Sequence, residues 1–244
     1  MKKLILTILI SSFIITVSTA QESQSSDIPK LKKWSVALHL GWQIGGPCKQ
    51  IEDAMVNHGF DCSKRVYGWF GSSSSVTHHP YSENFIPSWM ISVKYYLKPP
   101  FSIGIAGGNT HLGSTHGYKI QTWGHRLDID YSVIHISPIF SYNSYDIVRI
   151  GIGPSVYFTK AWESSDHPEG VDVEYKHTKV GFLIDFGLRI PKKSRFFFEL
   201  NAQYRYVGKA EIGPFNENPY RDMLPKTEVK YNHVFIGGGF GVRF

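Results

Sequence analysis

Asp185 and Glu199 are two carboxylates in a stretch otherwise rich in arginine, and a carboxylate pair at matching depth can share acid and base work. The same stretch offers cations at Arg149, Arg189, Arg205 and Arg243, with Lys94 further upstream. Opposite charges at matching depth also fit an ion-pair network, and uncompensated buried charge is costly. The network is the expectation, and acid/base chemistry is the alternative. Cys48 and Cys62 enclose 13 residues and could form a disulfide if the chain is exported. Such a bridge would stabilise the loop by about 3 kcal/mol. His78, His79, His111, His116 and His125 could reach a metal together, but their spacing matches no defined site. No metal and no cofactor are expected.

These residues are positioned by alternation. Trp34, Val36, Leu38, Leu40, Trp42 and Ile44 occupy one face of the first segment, and Ser35, Ala37, His39, Gly41 and Gln43 the other. The same period of two recurs from Trp89 to Leu97, Phe101 to His111, Val148 to Phe158, Lys179 to Ile190, Phe196 to Tyr206 and His233 to Phe244. Each is as long as the 9–11 or so tilted residues a membrane strand needs. Leu127 to Tyr142 starts in one phase and ends in the other, so a β-bulge is expected near Val133. One face is Gly, Ser and isolated charge, which suits a narrow lumen. The other is nearly all Phe, Ile, Val, Leu, Tyr and Trp, which suits lipid. Lys94, Arg149, Asp185, Arg189, Glu199, Arg205 and Arg243 all fall on the lumen face.

The links alternate between tight turns, at Lys98-Pro99-Pro100, Asn143 to Asp146 and Pro191 to Ser194, and longer loops. The first loop, Gly46 to Phe85, has about 40 residues and carries Tyr67, Trp69 and Phe70. The expected fold is all-β: an eight-stranded antiparallel up-and-down transmembrane β-barrel with short periplasmic turns and long extracellular loops.

Residues 1–20 read as a secretory signal peptide: Lys2-Lys3, an apolar run from Leu4 to Val17, then Ser18-Thr19-Ala20. Residues 21–33 read as a periplasmic tether and 34–244 as the barrel. The chain has 244 residues with 19% charged and 15% aromatic, which excludes a disordered chain. Removing the leader lowers the formal net charge from +6 to +4, no argument for nucleic acid.

Gly-Phe-Gly-Val-Arg-Phe at the C-terminus, with Phe240, Val242 and Phe244 on alternate positions, looks like the terminal signal read by the barrel-assembly machinery. With the leader and eight segments, the chain resembles the small OmpA/OmpX-like outer-membrane β-barrel proteins. That resemblance implies an integral bacterial outer-membrane location, contact with outer-membrane lipid, and handling by the assembly machinery. His135-Ile136-Ser137 is similar to the His-x-Ser pair of the lipid A 3-O-deacylase barrels, which implies Ser137 as nucleophile and His135 as base. The strand phase turns both inward, and the nearest downstream acid is Asp146. The functional expectation is a non-enzymatic barrel that displays loops to an extracellular partner or supports the envelope. A lipid A enzyme and a narrow solute channel are the alternatives.

Overall fold

The computed structural model describes residues 33–62, 64–66, 75–77, 88–97, 100–119, 125–145, 147–164, 173–191, 194–215 and 224–244. The leader, nearly all of the tether, and Tyr67, Trp69, Phe70, His78 and His79 lie outside them.

Eight strands close into one antiparallel barrel: β1 (Trp34–Gly45), β4 (Ser88–Tyr96), β5 (Phe101–Lys119), β6 (His125–Ser144), β7 (Val148–Ser164), β8 (Glu174–Ile190), β9 (Phe196–Tyr206) and β12 (His233–Arg243). They pair with their neighbours in chain order, and β12 pairs with β1 to remove both edges. At that closure Trp34 and Phe244 exchange backbone hydrogen bonds, each 3.0 Å long. The remaining elements are a helix, α1 (Cys48–Asn57), and two small hairpins, β2 (Lys64–Val66) with β3 (Ser75–Thr77) and β10 (Lys209–Ile212) with β11 (Thr227–Lys230).

Alternation sorts the side chains as the period-two pattern requires. Leu38, Leu40, Ile105, Ile136, Ile152, Phe186 and Leu200 are exposed on the outer wall, while Ser92, Lys94, Ser137, Arg149, Asp185 and Glu199 are buried inside. Aromatic pairs mark both rims of the apolar belt. Trp34 and Tyr95 meet at 4.8 Å beside the short turns, and Phe182 stacks on Tyr206 at 5.0 Å at the other end. Such a belt, with its backbone hydrogen bonds satisfied in a closed ring, is a membrane-spanning surface.

The structure departs from the sequence reading in β6. No bulge sits at Val133. Leu127, Ile129, Tyr131 and Val133 point inward and are fully buried, and the inward phase continues through His135, Ser137 and Ile139. The irregularity lies on the neighbouring strand, where the register shifts between His111 and Gly113 and inserts Leu112 into β5. Gly113 has φ +106°, a conformation that favours glycine. The apolar residues of upper β6 face inward because the extracellular end of the lumen is itself apolar. β5 to β8 run well past the belt, and their loops are correspondingly shorter than the sequence suggests.

Candidate functional site

The interior falls into three levels. Nearest the short turns is an ionic layer. Arg149, from β7, donates through Nε to Asp185 Oδ2 at 2.7 Å and through Nη1 to Glu199 Oε1 at 2.5 Å. Arg189 donates from Nε and Nη2 to Glu199 Oε2 at 3.1 and 2.9 Å, and from Nη1 to the Tyr96 hydroxyl. Lys94 Nζ stands 3.7 Å from Glu199 Oε1. Asn201 and Gln203 donate to Asp185 Oδ1 at 2.8 and 3.0 Å. Three cations thus surround two carboxylates, and side-chain amides occupy the remaining acceptor sites. Each carboxylate is locked by charge-assisted bonds, an arrangement that holds the wall together.

One of the seven residues expected in this network, Arg205, stands apart from its two carboxylates. Arg205 lies a layer higher and, among the described residues, makes no ion pair. Its Nε and Nη2 donate to Gln203 Oε1, its Nη1 donates to Thr110 Oγ1 at 2.5 Å, and its guanidinium covers the Phe235 ring at 5.0 Å. Arg243 lies over Phe197 at 5.3 Å, and Arg189 covers the same ring at 4.2 Å. The sequence reading did not include His39, Tyr96, Asn201 and Gln203 in the network. His39 Nε2 is 3.6 Å from Glu199 Oε1. Inward phase was the available signal for all four; their polar but uncharged side chains gave no reason to choose them.

His135 and Ser137 occupy the middle of the lumen, both fully buried. Ser137 Oγ shares a 2.6 Å hydrogen bond with Ser155 Oγ. His135 stacks obliquely near Tyr157, with ring centroids 6.4 Å apart, and neither ring nitrogen has a hydrogen-bond partner among the described residues. The histidine does not engage the serine. His233 sits beside Arg205, and its Nδ1 bonds the Tyr231 carbonyl at 2.8 Å, which leaves Nε2 to face Arg205 Nη1 at 3.5 Å.

The extracellular end is closed by an apolar cap. α1 presents Cys48, Ile51 and Met55 on one face, at the spacing of successive helical turns. These pack with Leu112, Leu127, Ile129, Tyr131, Phe215 and Tyr231 into one continuous cluster. Gln50, on the same helix, anchors it to β11: Lys230 N donates to Gln50 Oε1 at 2.9 Å. The β10–β11 hairpin adds Ala210, Ile212 and Val229 to the cluster.

Cys48 and Cys62 belong to this cap, and the bridge expected from the sequence is not formed. Both thiols are free. Cys48 Sγ donates to the Leu112 carbonyl at 3.2 Å, and Cys62 Sγ lies 3.8 Å from Met55 Sδ. Burial pushes both thiols up to about 12.

His111 lies near Trp162, with centroids 6.4 Å apart, and His116 Nδ1 pairs with Asp128 Oδ1 at 2.6 Å. Among the described residues, no three His, Cys, Asp or Glu side chains converge on a point that could hold a metal. Phe240 and Val242 face outward on β12, and Phe244, the residue after it, is exposed in the same phase, as their alternation requires.

No protein-family model and no curated protein matches the chain. Among solved structures it is similar to the outer membrane protein OprG from Pseudomonas aeruginosa, at 13% identity over 89% of this chain and 99% of that one, TM-score 0.48. It is also similar to Ail, the attachment invasion locus protein of Yersinia pestis, at 11% identity over 86% and 97%, TM-score 0.38. A third is the outer membrane protease OmpT from Escherichia coli, at 10% identity over 91% and 100%, TM-score 0.41. With its closed ring of eight strands and its apolar outer belt, the chain is a transmembrane β-barrel that resembles in architecture the small OmpA/OmpX-like outer-membrane proteins.

Proposed function

We propose that this chain is a non-enzymatic barrel of the bacterial outer membrane that presents a folded extracellular cap to a partner at the cell surface. The observation that carries this reading is the cap. β5 to β8 continue beyond the belt and, with α1 and the β10–β11 hairpin, enclose an apolar cluster of their own. A loop needed for connection alone does not require such a core, and rigid scaffolds commonly carry binding on the segments they hold. The ionic layer at the other end supports a structural role for the lumen, because its carboxylates are committed to arginine and amide donors. His135 and Ser137 lie within the same closed interior, away from lipid. A leader processed at Ala20 and folding through the assembly machinery complete the proposed route to the membrane.

The test is photocrosslinking on intact cells from exposed cap positions, such as Lys176 and Lys230, with Leu200 in the belt as control. A protein or glycan captured reproducibly from the cap positions, and absent from the control, is the expected result. In the same strains, deletion of the gene leaves the lipid A mass spectrum unchanged. A lost or gained acyl chain would replace this reading with the lipid A enzyme.

A further inference from the structure

β6 and β7 pair along their length except at one place. The register sets Ile136 against Val156 and Phe140 against Ile152, which brings Pro138 opposite Pro154. In an antiparallel ladder alternate pairs exchange two backbone hydrogen bonds. Pairing stops at 137–139 and is intact on both sides, so Pro138 and Pro154 are such a pair, and neither ring has an N–H to give. Two adjacent rungs of the barrel wall are therefore missing. The Ser137–Ser155 hydrogen bond crosses the strands beside this break, from the lumen side.

On the lipid side a groove of about 540 Å³ lies over the break. Its walls are Val93, Ile103, Ile105, Phe140 and Ile152, and its floor is the two prolines with the backbone of Gly104 and Gly153. A Cβ at Gly153 would overlap the Pro138 carbonyl, so the strands approach too closely there for any larger residue. Trp34 and Tyr95 form the rim nearest the short turns, at the level where aromatic residues meet lipid headgroups.

We propose that this groove is a docking site for one phospholipid acyl chain of the periplasmic leaflet. Its depth in the belt gives access to hydrocarbon and to nothing soluble. Its volume lies within the 300–1,000 Å³ or so of small-ligand pockets. Every wall residue is apolar, and the one polar edge, Trp34 with Tyr95, stands where the headgroup of that leaflet stands. The short proline rings leave a recess where alternating Val and Ile would tile a flat surface. This site is independent of the extracellular cap.

The protein is reconstituted in nanodiscs containing a phosphatidylcholine with a diazirine at mid-chain, illuminated and mapped by mass spectrometry. Ile105 and Ile152 are expected to be labelled at least five-fold more than Leu200. Ile152 and Leu200 are both exposed and are each the fifth residue of their strand above a short turn. Ile152→Trp fills the groove and brings Ile105 labelling down to the Leu200 level, with folding checked by the heat-modifiable gel band. Equal labelling of Ile105, Ile152 and Leu200 in the native chain means ordinary lipid contact all round the wall and overturns the proposal. Unchanged labelling of Ile105 in folded Ile152→Trp overturns it as well.

Discussion

Arg205 and Asp185 carry opposite charges on neighbouring strands and meet only through Gln203. The amide accepts from Arg205 Nη2 at 2.8 Å and donates to Asp185 Oδ1 at 3.0 Å. The bonds fix the orientation of the amide: oxygen toward the cation, nitrogen toward the anion. Gln203 thereby joins the ionic layer to the one above it. Arg205 is held by neutral acceptors and a ring, whereas Arg149 is held by two carboxylates.

The two arginines should therefore respond differently to the same substitution. Arg149→Met strands carboxylates inside the wall, and such broken pairs cost about 3–5 kcal/mol. Arg205→Met strands the Gln203 and Thr110 oxygens, at about 1–3 kcal/mol. Urea unfolding in lipid vesicles should rank Arg149→Met clearly below Arg205→Met. Equal losses would remove the distinction between the layers. Asp185→Ala combined with Glu199→Ala should lower thermal stability further than either alone, since Lys94, Arg149 and Arg189 then face one another unpaired.

The cap should loosen without the barrel. α1 packs through Ile51 and Met55 and adds no strand to the ring. Ile51→Ala removes buried volume worth about 2–5 kcal/mol. Limited proteolysis of intact cells should cut this variant in the first loop at protease levels that spare the parent. The heat-modifiable barrel band should stay unchanged. A barrel that fails to assemble would mean the cap is needed to close it.

What the sequence made legible follows from which forces repeat. Lipid imposes one demand on every outward residue, so Leu38, Ile152, Phe186 and Ile236 announce the strands by period alone. The inner face has no single solvent. Asp185 and Glu199 sit in the ionic layer, while Leu127, Ile129 and Tyr131 lie against α1 at the other end. A face that changes from polar to apolar along one strand mimics a change of phase, and so β6 suggested a bulge it does not contain. Charge was enough to identify Arg149, Arg189 and Glu199 as neighbours. It could not separate Arg205, because its distinguishing partners, Gln203 on its own strand, Thr110 on β5 and Phe235 on β12, carry no charge.

The two thiols should stay apart and react slowly. Burial raises Cys48 to about 12, so at pH 8 it is almost wholly protonated and a poor nucleophile. The rate of maleimide labelling in the folded protein should climb with pH up to that value and jump on unfolding. A mass map without reductant should recover Cys48 and Cys62 as separate free thiols. Recovery of a Cys48–Cys62 bridged peptide would require α1 to be arranged differently.

Removal of Phe244 should impair assembly. Its backbone supplies both hydrogen bonds to Trp34 at the β1–β12 closure, and its ring ends the outward row begun by Phe240 and Val242. The truncated chain should be synthesised normally and yield less heat-modifiable protein in outer-membrane fractions. Wild-type amounts of folded protein would rule out an assembly signal at this residue.

The barrel should pass no steady current. Eight strands leave an interior about wide enough for side chains alone. Here it is obstructed at separate heights. Tyr96, Arg189 and Phe197 crowd the end with the short turns, and Arg189 is tied to both Tyr96 and Glu199. Above them, Arg205 spans to Thr110 and covers Phe235. At the extracellular end, Ile51 and Met55 of α1 complete the apolar cluster. An ion would have to displace a helix and then break charge-assisted bonds in a low-dielectric wall. Purified protein in planar bilayers should therefore give no sustained single-channel openings. Removing α1 alone should leave the membrane tight, because the ionic layer and the Arg205 level remain, whereas removing α1 together with Glu199→Ala, Arg189→Ala and Arg205→Ala should admit brief conductance. Stable, ion-selective openings in the intact chain would show that the side chains rearrange into a path, and the channel reading would take the place of the closed one.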